Sequence, residues 1–332
     1  MNCEFVRFLT SDGLELQGLY VPAERAGAPA LAHVHGLDGN FYENRFIDAL
    51  AASCRYRGLG FLTFNNRGHD YLADLLVDGG EGQPACYRQG GGMHETLGEC
   101  VEDIRAALAW LSGRGHRRLV LEGHSHGALK ALHYLHVTGD PRVAALALLS
   151  PSDDLAVARE RLGDRFEAGR ELAAELVANG RGGELMPDAC YPHPTSAATF
   201  HDCLRPGSIA LSFNLSRTDR EEFPELVSVR VPAFLAVGTE AEAFTLPAAV
   251  FVDRAADALA NAPSFHCAVI EGAPHNYLGH EDKLAAAVGR WLESICPGLA
   301  APVADGAFTA PPRPVPSDGD GGAGQATGEV FE

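Results

Sequence analysis

The sequence predicts an α/β protein: a mostly parallel central sheet with helices on both faces and a helical lid inserted into it. Three observations carry this. Short, nearly all-apolar runs recur along the chain, as strands buried on both faces require. Longer segments with apolar residues at three- and four-residue spacing alternate with them. One long stretch, 151–228, then breaks the alternation.

The first two runs, 4–9 (EFVRFL) and 14–21 (LELQGLYV), are separated by the turn residues Ser11-Asp12-Gly13 and predict a hairpin. The buried-strand runs follow at 29–34, 60–64, 118–122, 143–149, 231–237 and 265–270. Helical patterns occupy 41–57, 94–112, 127–138, 247–261 and 280–295. In 94–112, Leu97, Val101, Ile104, Leu108 and Leu111 form one apolar stripe. Strand–helix alternation of this kind builds a parallel sheet covered on both sides. The core is expected over 1–150 and 229–296. The segment 151–228, charged and helical at first and then rich in Pro and His, is expected to be the lid or cap. Residues 297–332 are expected to be a disordered tail, because from Ala301 onward Ala, Pro, Gly and Asp dominate with no apolar period.

With 332 residues, 46 % of them hydrophobic, the chain has ample material for a core. Its formal charge of −18 argues against a basic nucleic-acid-binding surface. The first residues hold no apolar run followed by a cleavage site, and the longest apolar run, Val143 to Leu149, is too short to cross a bilayer. No two of the eight cysteines stand in a CxxC spacing, so free thiols and a cytoplasmic location are expected. There is no HExxH, and no metal or organic cofactor is expected. Oligomeric state is not legible in the sequence.

Chemistry enters at LVLEGHSHGALKAL. An apolar run ends in Gly123-His124-Ser125-His126-Gly127 and a helical run starts at once. A serine in GxSxG between a strand and a helix sits in a strained turn, with its hydroxyl lifted out beside the helix N-terminus. The chain over 4–296 resembles the α/β-hydrolase superfamily. Within it, HGLDGNFYENRF and FLTFNNRGHD are similar to small bacterial hydrolases distantly related to siderophore-type esterases. The resemblance implies a serine hydrolase with Ser125 as nucleophile. The oxyanion donors would be the amides of His126 and, from the HGxxG stretch His35–Gly39, Leu37.

The base belongs on a late histidine after the last strand. His275 is the choice; His280, its competitor, stands at the start of the closing helix beside Glu281 and Asp282. His124 and His126 are expected to shape the pocket or pack beneath it. The orienting acid stays open. In many relatives it lies three residues past the glycine that closes the penultimate core strand, which here is Ala241. Glu240 and Glu242 flank that position, Asp153 and Asp154 follow the preceding strand, and a Ser–His dyad is the remaining option. Arg67 and Asp70 are read as structural, and Gly90–Gly92 as a flexible loop with no phosphate-binding partner motif.

These expectations point to hydrolysis of a small-molecule ester, lactone or thioester. The alternatives are acyl transfer or cyclisation in small-molecule biosynthesis, and a silent receptor of the same fold. The size of the acyl pocket is expected to depend on how lid side chains such as Phe200, Leu211 and Phe213 converge.

Overall fold

The computed structural model describes residues 2–80, 82–187, 194–217 and 223–296; the expected tail, 297–332, lies outside them. Eight strands form the main sheet: β1 (Glu4–Leu9), β2 (Glu15–Val21), β3 (Ala30–Val34), β4 (Gly60–Phe64), β7 (Leu119–His124), β8 (Val143–Leu149), β9 (Ala233–Glu240) and β10 (Phe265–Pro274). Their order is β1-β2-β4-β3-β7-β8-β9-β10. β2 runs antiparallel to both β1 and β4, and every other pairing is parallel. β3, β4 and β7 are buried along their whole length, which is why they read as largely apolar runs.

Helices α1 (Arg45–Tyr56) and α9 (Glu281–Ile295) cover one face of the sheet, and α2 (Cys100–Gly113), α3 (His126–Thr138) and α8 (Ala248–Ala258) the other. Between β8 and β9 the chain leaves the sheet for α4 (Asp154–Leu162), α5 (Phe166–Ala178), α6 (Ala197–Leu204) and α7 (Pro224–Val227).

Four details differ from the sequence expectations. A small antiparallel hairpin, β5 (Ala73–Val77) with β6 (Cys86–Gly90), stands apart from the main sheet. It carries no apolar signature because Cys86 to Gln89 are all exposed. α1 begins at Arg45, not 41, since the Asn40 side-chain oxygen accepts from the amides of Tyr42 and Glu43 and turns the chain before the helix. α2 begins at Cys100, after two 3₁₀ turns at Gly92–His94 and Leu97–Glu99. Gly90–Gly92 is a packed junction and not a free loop: a Cβ on Gly92 would fall 2.7 Å from the Asp38 amide nitrogen.

Among the described residues no helix is long and apolar enough to cross a membrane, and no group of three His, Cys, Asp or Glu is placed to hold a metal. No disulfide joins any of the seven described cysteines.

Candidate active site

Ser125 stands between β7 and α3 at φ 58°, ψ −128°. A non-glycine residue held there stores roughly 1–3 kcal/mol of strain, which the surrounding packing must fix. Its amide donates to Leu149 O at 2.9 Å, and its carbonyl accepts from Ala128 at 2.9 Å. Gly123 and Gly127 have no room for side chains: a Cβ on either would run into backbone, of Gly127 and Val34 respectively. The turn therefore admits glycine on both sides of the serine.

The loop after β3 comes close to this turn. A Cβ on Gly36 would lie 2.8 Å from the Ser125 Cβ. Beneath the loop, the buried His35 ring accepts the Asn66 amide at Nε2 (3.0 Å), so its proton sits on Nδ1, which donates to Gly36 O at 2.8 Å. Burial holds this imidazole well below its usual range, and it stays neutral. The Asn66 carbonyl oxygen in turn meets Lys130 Nζ at 3.4 Å, and Lys130 pairs with Glu95 at 2.5 Å, both side chains shielded from solvent. Leu37 faces the cleft on top of this stack.

His275 follows β10. Its carbonyl accepts from His124 Nε2 at 2.9 Å, and the two rings lie 4.8 Å apart. Two residues on, the fully buried Tyr277 donates to Ala236 O at 2.9 Å and accepts from the Ser150 hydroxyl at 2.8 Å, which anchors the turn to β8 and β9. Burial pushes the His275 imidazole down to about 4, partly opposed by the negative charge of Glu242. Its Nδ1 is buried, and no described group accepts from it.

The four candidate acids separate. Asp153 caps α4: its carboxylate accepts the amides of Ala156 (3.3 Å) and Ser216 (3.0 Å), while its own amide donates to Ala243 O (2.8 Å). Asp154 lies against His126, Nε2 to Oδ2 2.9 Å. Glu240 ends β9 opposite Pro274, exposed. Glu242 is also exposed, yet its charge acts on His275 more strongly than that of any other carboxylate.

Ser125, His275, Leu37 and His124 share one open cleft of about 580 Å³ with Asp38, Tyr42, Glu43, Asp70, Tyr71 and Asn276. No Lys or Arg is among the described residues that line it. Burial raises the Asp38 carboxyl to about 7. Asp70, at this rim, accepts from Asn40 (2.8 Å) and Tyr42 (2.8 and 2.9 Å). Arg67 is buried on Asp103 (2.7 Å) and Asp12 (3.1 Å), away from the cleft.

One group of residues lies elsewhere than the sequence suggested. Phe200 and Phe213 are fully buried, and Leu211 nearly so, in the core that joins the insertion to the sheet; none lines the cleft. Their aromatic and aliphatic character signalled burial, not a pocket wall. The Asn66–Lys130–Glu95 stack is absent from the sequence expectations, although a lysine on the otherwise apolar stretch Ala128–Leu132 signals a buried partner.

Comparison with known proteins agrees with this architecture. A family model described as the alpha/beta hydrolase family matches residues 31–287. No curated protein matches the sequence. Among solved structures, the fold is similar to esterase PF2001 of Pyrococcus furiosus (17 % identity, 88 % of this chain and 91 % of that one, TM-score 0.56). It is also similar to Est1E of Butyrivibrio proteoclasticus, solved with ferulic acid bound (18 %, 86 % and 98 %, TM-score 0.57). A third is DcsB in complex with its substrate analogue (14 %, 90 % and 100 %, TM-score 0.60). At these identities the likeness speaks to the fold alone, whereas the family model spans most of the chain: the protein belongs to the alpha/beta hydrolase family.

Proposed function

We propose that the protein is a serine hydrolase that cleaves a carboxylic ester, lactone or thioester of a small molecule through an acyl-enzyme on Ser125. The observation that carries this reading is the strained Ser125 turn, open to the same cleft as His275 and the Gly36–Leu37 loop. His275 takes the Ser125 proton as the hydroxyl oxygen bonds to the substrate carbonyl carbon. The amides of Leu37 and His126 hold the resulting oxyanion. His275 returns the proton to the departing alcohol or thiol, and then activates the water that releases the acid.

Glu242 is the carboxylate that orients His275. Asp153 and Asp154 are engaged elsewhere, and Glu242 acts on His275 most strongly. An inward shift of the exposed turn after β9 would bring it to the buried Nδ1. The Glu43 and Asp70 carboxylates of the cleft, with no Lys or Arg among its described lining, favour neutral or cationic esters over anionic ones. The helices between β8 and β9 serve as a fixed cap beside the cleft, held at Asp153 and packed by Phe200 and Phe213.

The test is hydrolysis of p-nitrophenyl acetate in ¹⁸O-labelled water. The reading predicts turnover with one ¹⁸O in the released acetate. A folded protein that shows no turnover with a panel of neutral acetyl and butyryl esters and thioesters would contradict it.

A further inference from the structure

We propose that Asp154 is a positioning residue for the oxyanion hole, acting through the side chain of His126. The inference rests on the serine-hydrolase reading above and extends it to a residue that touches neither substrate nor nucleophile.

His126 is the first residue of α3, and its backbone amide is one of the two donors assigned to the oxyanion. Its ring is 3 % exposed and lies 2.9 Å from the Asp154 carboxylate, itself 6 % exposed. The location makes that contact important. The N-terminus of a helix carries partial positive charge and disfavours a cation. An imidazolium there is stable only with an anion beside it. Asp154 sits in the first turn of α4, so one carboxylate serves the positive ends of two helices and the ring between them.

Other charges face the ring from every side among the described residues: Lys130 on α3, Glu95 before α2, Asp38 in the loop after β3 and His275 after β10. Burial alone would drive the His126 proton off, but Asp154 overcomes it and raises the imidazole above its usual range.

The anchor beneath Asp154 is rigid. Asp153 bonds Ala243 O, Ser216 N and Ala156 N, which fixes the start of α4 to the loop that carries Glu242. A buried ring that loses Asp154 must repack inside the tight turn at the start of α3, and that repacking displaces the amide. Oxyanion donors act only when held within a narrow range, about 2.7–3.1 Å, of the developing charge. The Asp153–Asp154 corner thus fixes the oxyanion amide.

The test is Asp154→Asn, which keeps the shape and removes the charge. With p-nitrophenyl acetate the proposal expects kcat to fall about 10- to 100-fold while KM stays within about twofold, below the loss seen when a donor is removed outright. A trifluoromethyl ketone, whose carbonyl adds the serine oxygen and leaves an oxyanion in the hole, reports on the same amide. Its inhibition constant rises by the same factor as kcat/KM falls, and Asp154→Glu restores part of both. A merely structural role would lower the melting temperature without linking the two constants. A folded Asp154→Asn with unchanged kcat and inhibition constant overturns the proposal. If that variant does not fold, His126→Gln replaces it, with the same proportional loss supporting the proposal and wild-type constants overturning it. A wild-type protein that neither hydrolyses the ester nor binds the ketone would instead overturn the hydrolase reading, and the positioning role with it.

Discussion

The two sides of the cleft are built differently. On the side of the loop after β3, every layer is locked: Gly36 against Ser125, His35 against Gly36 and Asn66, Asn66 against Lys130, and Lys130 against Glu95. On the side of His275, the backbone is as firmly held by Tyr277 and Ser150, but the imidazole Nδ1 meets no described acceptor, and Glu240 and Glu242, at the end of β9 and just after it, are exposed. On the proposed mechanism, the difference matches what each side would do. An oxyanion site works by not moving, since donors that reorganise during the reaction forfeit their advantage. A carboxylate that orients a base can be brought in by a loop when substrate excludes water.

The largest loss is expected at the group both sides serve. His275→Ala removes the general base and lowers turnover of an activated ester by about 10⁶-fold, by analogy with other triad enzymes; steady-state kinetics on purified variants check this. The comparison itself is sharpened next. Glu242→Gln lowers kcat by about 10³- to 10⁴-fold, whereas Glu240→Gln stays within about twofold. Equal losses at the two positions, or the larger one at Glu240, would reassign the acid.

On the locked side the expected cost is to the fold. Lys130→Met leaves the buried Glu95 charge without its partner and destabilises the protein by about 3–5 kcal/mol, as urea denaturation would measure. Stability within 1 kcal/mol of wild type would mean that the stack under the loop is dispensable.

The smallest effect is a displacement in pH. The base must be neutral, so activity rises as pH rises through the His275 pKa. Burial has lowered that to about 4, which places the acid limb of kcat/KM near pH 4 and not near 6.5. Glu242 pulls the value upward, so Glu242→Gln moves the limb to still lower pH. A limb that moves up in this variant would show that Glu242 does not act on His275.

The legible part of this site was the part written in local sequence. Gly123 and Gly127 around Ser125 answer to a turn with no room for side chains, and the apolar runs before and the stripe after it answer to burial. Any chain with that turn must carry those letters. The acid was not legible, because Glu240 and Glu242 differ only in how a short exposed turn is drawn, and Asp154 differs from Asp153 only in which helix it faces. Neither choice leaves a period or a spacing behind. The β5–β6 hairpin was missed for the same reason, since β6 buries nothing that would mark it as a strand. The role of Phe200 and Phe213 was misjudged because aromatic residues in an insertion look the same whether they line a pocket or hold the insertion down.

The central claim is that Ser125 is the nucleophile of a covalent mechanism. Labelling with a fluorophosphonate, followed by peptide mass mapping, tests it most directly. Attack by the serine oxygen on phosphorus expels fluoride and leaves a stable adduct. The account predicts one adduct per chain, on the peptide that carries Ser125, and none in Ser125→Ala. Equal labelling of the wild type and of that variant, or an adduct on any other residue, would contradict it.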